Sequence, residues 1–109
     1  MRIFVCYTMR DGELTRSVLE EIYNFYSRDG DVFLDVLTNN SKDKQRRVIK
    51  ELNEADRMII IETSKVYLSD WVQLEIDMAT SKRKPIEKIK LKDLKEKIKI
   101  EKKVVSNNL

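Results

Sequence analysis

The sequence predicts an α/β domain in which a parallel sheet carries helices on both faces. Three observations carry this expectation. Short runs of β-forming residues alternate with stretches whose apolar residues recur at helical spacing, in the order βαβαβαβ; strands separated by helical crossovers run parallel. The most apolar run, Met58 to Ile61, has no polar residue inside it, which suits a central strand covered on both faces. The 109 residues, 41% hydrophobic and 38% charged, match one globular domain spanning residues 1–109.

Each element has its own warrant. Residues 2–7 (RIFVCY) are apolar β-formers and make the first strand. Asp11 and Gly12 mark a turn, with Asp11 a candidate cap for the helix that follows. From Glu13 to Ser27, Leu14, Val18, Leu19, Ile22 and Tyr26 form one helical stripe. Asp29-Gly30-Asp31 turns the chain into a second strand, Val32 to Val36. Leu37 to Lys42 is a polar connection with Ser41 as a candidate N-cap, and Val48, Ile49 and Leu52 give a second helix ending near Ala55. After the Met58–Ile61 strand, Thr63 to Asp70 reads as a loop. Ser69 is placed to cap a third helix whose inner stripe is Trp71, Leu74, Met78 and Ala79. Pro85 breaks the chain before a weak fourth strand at Ile86, Ile89 and Leu91. Leu94, Ile98 and Ile100 fit either a helix or an edge strand, and Val105 to Leu109 read as a disordered end. Ligands bind such sheets beyond the carboxyl ends of the strands, which singles out the loops Thr8–Gly12, Leu37–Lys42 and Glu62–Asp70.

Composition excludes several chemistries. There is no histidine, so Ser-His-Asp and Cys-His catalysis and the HExxH zinc site are impossible. Cys6 is the single cysteine, which rules out an internal disulfide and a Cys-rich zinc site and reads as a small buried hydrophobe. With only Gly12 and Gly30, neither a P-loop nor a GxGxxG fingerprint can form. Catalysis must therefore rest on carboxylates, hydroxyls, Lys, Arg or Tyr, and no metal site is expected. Residues 1–81 hold 11 basic and 15 acidic side chains, and residues 82–109 hold 11 basic and 4 acidic. That basic end has no aromatic residue to stack on a base, so nucleic acid is not an expected partner. No run reads as a signal peptide or approaches the ~20 apolar residues of a membrane span, so a cytoplasmic protein without membrane contact is expected.

Two stretches resemble the Toll/interleukin receptor (TIR) domain family, in its bacterial type. Phe4-Val5-Cys6-Tyr7-Thr8-Met9-Arg10-Asp11 is similar to the family's opening box, with Cys6 and Thr8 where serines are usual. Ser69-Asp70-Trp71-Val72-Gln73-Leu74-Glu75-Ile76-Asp77-Met78-Ala79 is similar to its tryptophan box, with Val72 in place of Cys. Asp35 stands where the family often has an Asp, and Ala55-Asp56 before the apolar strand also fits. The likeness runs from about residue 2 to 91; the part from about 92 matches poorly, which reads as a reduced or frayed end. The loop after the second strand departs from the family in having neither Gly nor Pro. The resemblance implies a flavodoxin-like three-layer fold with a central parallel sheet of four to five strands.

It also implies a chemistry. Many TIR domains cleave NAD at the nicotinamide–ribose bond, to ADP-ribose or a cyclised derivative, in signalling, immunity or toxicity. The glutamate of the tryptophan box is their catalytic residue, and that role falls on Glu75. Breaking this N-glycosidic bond builds oxocarbenium-like charge on the ribose, which a carboxylate stabilises, while nicotinamide leaves neutral and needs no general acid. A protein without histidine can do this. NAD+ would be the substrate, and no cofactor is expected. Thr8, Arg10 and Asp11 on the first loop are candidates for phosphate or ribose contacts, although Arg10–Asp11 reads equally as a turn with a helix cap. Asp35, Ser69 and Trp71 complete the candidate set, each with a structural role as the plainer reading.

Two other functions compete. One is a non-enzymatic module acting through TIR–TIR association, and self-association is expected under either reading. The other is an enzyme like the nucleoside deoxyribosyltransferases, whose Gly-containing motif is missing here.

Overall fold

Two apolar strands, β1 (Arg2–Cys6) and β3 (Arg57–Glu62), lie side by side at the centre of the sheet in the computed structural model, which describes residues 1–107. The short β2 (Asp31–Phe33) pairs with β1, and β4 (Ile86–Lys90) pairs with β3. All pairs are parallel and the order is β2-β1-β3-β4, the flavodoxin-like order with four strands. Helices α1 (Arg16–Ser27), α2 (Asp35–Thr38), α3 (Lys44–Glu54), α4 (Asp70–Ser81) and α5 (Leu91–Asn107) complete the chain, with a 3-10 turn at Val66–Leu68.

Strand alternation divides the core in two. Ile3 and Val5 of β1 and Ile59 and Ile61 of β3 face a layer built by Leu19 and Ile22 of α1 and Leu94 and Ile98 of α5. Phe4 and Cys6, with Met58 and Ile60, face Val48 and Leu52 of α3 and Val72 and Ala79 of α4. The sheet is thus sandwiched between α1/α5 and α3/α4. Met58, Ile59, Ile60 and Ile61 are fully buried, as a central strand demands. Truncating any one to Ala should cost about 2–5 kcal/mol. Among the described residues, no helix is long and apolar enough to cross a membrane.

The helix starts depart from expectation at two of three sites. Ser69 does cap α4, its Oγ accepting from the Val72 amide at 3.3 Å. The cap of α1, however, is Thr15, whose Oγ1 accepts from the Val18 amide at 3.2 Å, so the helix begins four residues beyond Asp11–Gly12 rather than at that turn. The cap of α3 is Asp43, not Ser41, with Oδ1 accepting from the Arg46 amide at 3.1 Å.

The second strand is shorter than its residues suggest. Val32 to Val36 does not run on as one strand: β2 stops at Phe33, and Asp35 opens α2. At the break, Thr38 Oγ1 accepts from the Leu34 amide and donates to the Leu34 carbonyl, both at 3.0 Å, and that carbonyl also accepts from the Leu37 and Thr38 amides as α2 begins. Leu91 is likewise the first residue of α5 rather than part of β4. Leu94 and Ile98 lie on the buried face of that helix, while Ile100 is 55% exposed and outside the core. Val105 and Ser106 belong to the same helix instead of a disordered end; residues 108–109 lie outside the described residues.

The inner face of α4 also differs. Val72, Glu75 and Ala79 are buried, whereas Leu74 is 44% exposed and Trp71 and Met78 are half-buried on the flanks. Similarly, Ile49 of α3 lies outside the core, 38% exposed.

Candidate active site

A cavity of about 590 Å3 opens beyond the carboxyl ends of the strands, between the segments that follow β1, β2 and β3. Its volume falls within the roughly 300–1,000 Å3 of small-molecule sites. Tyr7, Thr8, Met9 and Arg10 enter it from the loop after β1, Asp35 and Val36 from the start of α2, and Trp71 and Glu75 from α4 with its cap Ser69. Six of the seven residues singled out in the sequence therefore share one cavity.

Asp11 is the exception. Its Oδ2 accepts from the Thr63 hydroxyl at 2.5 Å and the Lys65 amide at 3.0 Å, and its Oδ1 accepts from the Glu13 amide at 3.3 Å. It joins the loops after β1 and β3 rather than lining the cavity.

Local geometry shapes each wall. Gly12 closes the first loop with φ of 76°, a left-handed conformation that favours glycine, and its amide reaches the Met9 carbonyl at 3.2 Å. Thr8 is buried, and its Oγ1 accepts from the Arg10 amide at 3.3 Å. On the opposite wall, the buried Asn39 donates from Nδ2 to Asp35 Oδ1 at 2.7 Å and to the Lys44 carbonyl at 3.0 Å. The glycine-free second loop is thereby pinned. Tyr7 ties the two walls together, its hydroxyl oxygen accepting from the Val36 amide at 3.0 Å.

Glu75 is the unusual group. A carboxylate on the inner face of a helix is costly, yet Glu75 is only 6% exposed. Among the described residues it takes part in no ion pair. Burial pushes its carboxyl up to about 7; the Cys6 thiol opposes this, the Asp35 carboxylate adds to it, and the Trp71 indole N–H opposes it. Of the two donors, only the thiol makes a hydrogen bond of ordinary geometry, Sγ to Oε1 at 3.4 Å. The same burial, with Glu75 beside it, raises Cys6 well above the usual thiol range, so it remains a donor. Burial also raises Tyr7 to about 12; the Val36 amide opposes this and the Asp35 and Glu75 carboxylates add to it. Arg10 is the one cation among the residues lining the cavity.

The sequence reading missed Tyr7 and Cys6 as parts of this site. A signal for Cys6 did exist, since alternation along β1 puts it on the same face as Phe4, toward the α4 layer. Nothing in the residues alone announced that the facing position would be a carboxylate. Among the described residues, no group of three or more Cys, Asp or Glu is arranged to hold a metal ion.

The cavity thus offers a buried carboxylate, a nearby second carboxylate, one guanidinium and two hydroxyl-bearing side chains on one wall. Such a set suits a ligand with a cationic centre, sugar hydroxyls and phosphate. No curated protein matches the chain. A family model described as the Thoeris protein ThsB, TIR-like domain, matches residues 4–96, both motif stretches included, and the chain belongs to this family of TIR-like domains.

Proposed function

We propose that this protein cleaves NAD+ at the nicotinamide–ribose bond, with Glu75 as the catalytic carboxylate, and so makes ADP-ribose or a cyclised product. Membership of a TIR-like family supports a role in signalling or defence. The observation that carries the finer reading is a buried carboxylate that has no cationic partner among the described residues, set in a cavity at the carboxyl edge of the sheet.

The chemistry follows from that environment. A carboxylate stripped of water and of counter-ions attracts a developing cation more strongly than a solvated one. The pyridinium of NAD+ favours ionisation of Glu75 as it binds, reversing the effect of burial. As the C–N bond breaks, its electron pair leaves with neutral nicotinamide and positive charge spreads over the ribose C1 and ring oxygen. Glu75 stabilises that charge and accepts hydrogen bonds from the ribose hydroxyls. Water then bonds to C1 and releases a proton to solvent, giving ADP-ribose; in the cyclised product a ring nitrogen of the same molecule's adenine bonds to C1 instead, and the positive charge passes to the adenine, which can release a proton to solvent. Arg10 is suited to the pyrophosphate. Trp71 and Tyr7 line the same cavity and supply aromatic surface for the bases.

Purified protein incubated with NAD+ should release nicotinamide, and Glu75→Gln should slow release by at least about 10²-fold. An unchanged rate in that variant removes the assigned role. Turnover that rises more steeply than protein concentration would support self-association. The pinned, glycine-free loop after β2 favours a second reading, a non-enzymatic module binding other TIR domains. Self-association without turnover at high protein concentration would establish it.

A further inference from the structure

Glu75 enters the cavity with one oxygen already engaged. Cys6 is the last residue of β1, fully buried, and its side chain projects to the α4 side of the sheet. There its Sγ donates to Oε1 of Glu75 at 3.4 Å, linking residues 69 positions apart. We propose that Cys6 is a positioning residue: its thiol holds Oε1 against the end of β1 and leaves Oε2 as the oxygen that meets the substrate. The inference rests on Glu75 being the reactive carboxylate.

The choice of donor has a physical consequence. Lysine or arginine at this position would hold the carboxylate ionised but would cancel much of its attraction for a forming cation. An aliphatic side chain would leave the carboxylate without a fixed orientation. A thiol is a weak, neutral donor, so it orients without neutralising. Among the described residues only the Trp71 indole N–H also acts on Glu75, and it does so without a hydrogen bond of ordinary geometry. Tyr7 and Arg10 line the same cavity from the loop after β1, Asp35 from α2, and Ser69 and Trp71 from α4 itself. None of them makes a hydrogen bond of ordinary geometry to Glu75; the Tyr7 oxygen accepts from the Val36 amide and the Ser69 oxygen from the Val72 amide.

A single cysteine in the chain makes the test direct, because the infrared S–H band belongs to Cys6 alone. In the wild-type protein this band should shift with pH as its acceptor changes from carboxylic acid to carboxylate, with a midpoint near the about 7 of Glu75. In Glu75→Gln the pH response should vanish. A wild-type band that does not respond overturns the proposal. A second measurement follows the Glu75 carboxyl carbon by NMR. Cys6→Ser, a stronger donor of similar size, should lower the midpoint by roughly half a unit or more, and Cys6→Ala should raise it. Midpoints unchanged in both variants overturn the proposal. The NAD+ assay adds a functional arm, in which Cys6→Ser should move the pH profile of kcat and leave KM near its wild-type value. Shifted midpoints in a protein that releases no nicotinamide would uphold the positioning geometry and remove the NAD+ reading, so the two failures are distinct.

Discussion

The Asp11 carboxylate accepts from the Thr63 hydroxyl at 2.5 Å and so joins the loop after β1 to the loop after β3, 52 residues along the chain. The Lys65 amide adds a second bond to the same oxygen at 3.0 Å. Asp11→Ala should therefore destabilise the protein by about 1–3 kcal/mol. Hydrogen exchange should locate the loss at the Lys65 amide rather than in α1. Slight desolvation of Asp11 acts upward on its pKa, but the donors from Thr63, Lys65 and Glu13 prevail and lower it below 3.8. Its contribution is thus complete above pH 3.8 and is lost only as pH falls through the lower folded value, so the variant's deficit should be constant across neutral pH.

Thr15, by contrast, serves α1 alone. Its Oγ1 satisfies the Val18 amide, one of the donors every helix leaves unpaired at its start. Thr15→Ala should cost about 1 kcal/mol, and Thr15→Ser should restore most of it. Urea titration gives the loss, and exchange of the first-turn amides should rise in Thr15→Ala but not in Asp11→Ala.

Burial of Glu75 sets a stability cost with a definite sign. Its folded value of about 7 lies above the ordinary 4.5, so the native state binds the extra proton between those limits. Stability is full below pH 4.5, falls as pH rises through that window, and stays reduced above about 7. At about 1.4 kcal/mol per pH unit, the loss by pH 8 is about 3 kcal/mol. Glu75→Gln, which cannot ionise, should match the wild type near pH 4.5 and be the more stable protein at pH 8. Equal denaturation midpoints at both pH values would contradict the burial of this carboxylate. A gain in stability on removing this carboxylate is the trade expected of a group retained for a role other than folding.

That cost explains what the sequence could and could not reveal. The β1 and β3 strands were legible because Ile3–Cys6 and Met58–Ile61 are apolar on both faces, as only strands with helices above and below can be. The Ser69 cap was legible for a local reason, a hydroxyl three residues before the amide it accepts from. The face of α4 was not. An apolar stripe through Trp71, Leu74 and Met78 is what burial alone would select, but the helix turns Glu75 inward instead and leaves Leu74 exposed. Local rules fail where a site overrides them. The limits of β2 were hidden differently, because VFLDV has strand composition and the bonds made at its break come from Leu37 and Thr38, three and four residues after Leu34. Within the site, Arg10, Thr8, Asp35, Ser69, Trp71 and Glu75 were identified through motif resemblance, whereas Tyr7 on the cavity wall and Cys6 behind Glu75 needed the packing.

Asp35 supplies the last prediction, since its charge and its hydrogen bond can be separated. Its carboxylate is among the causes that raise Glu75, while its Oδ1 accepts from Asn39 at 2.7 Å. Asp35→Asn keeps an acceptor for Asn39 and removes only the negative charge. If Glu75 must be ionised to work, kcat/KM for NAD+ should rise with pH through about 7 in the wild type. In Asp35→Asn the midpoint should move to lower pH, because one of the charges opposing ionisation is gone. The variant should then outperform the wild type near pH 6 on this limb, provided the lost charge is not itself needed to bind the pyridinium. A binding role predicts a different pattern, a higher KM at every pH. The wild-type and Asp35→Asn pH profiles, compared with the NMR midpoint of Glu75 in each, separate these outcomes: a midpoint that stays fixed while KM rises assigns Asp35 to the substrate, and a midpoint that falls with the profile assigns it to Glu75.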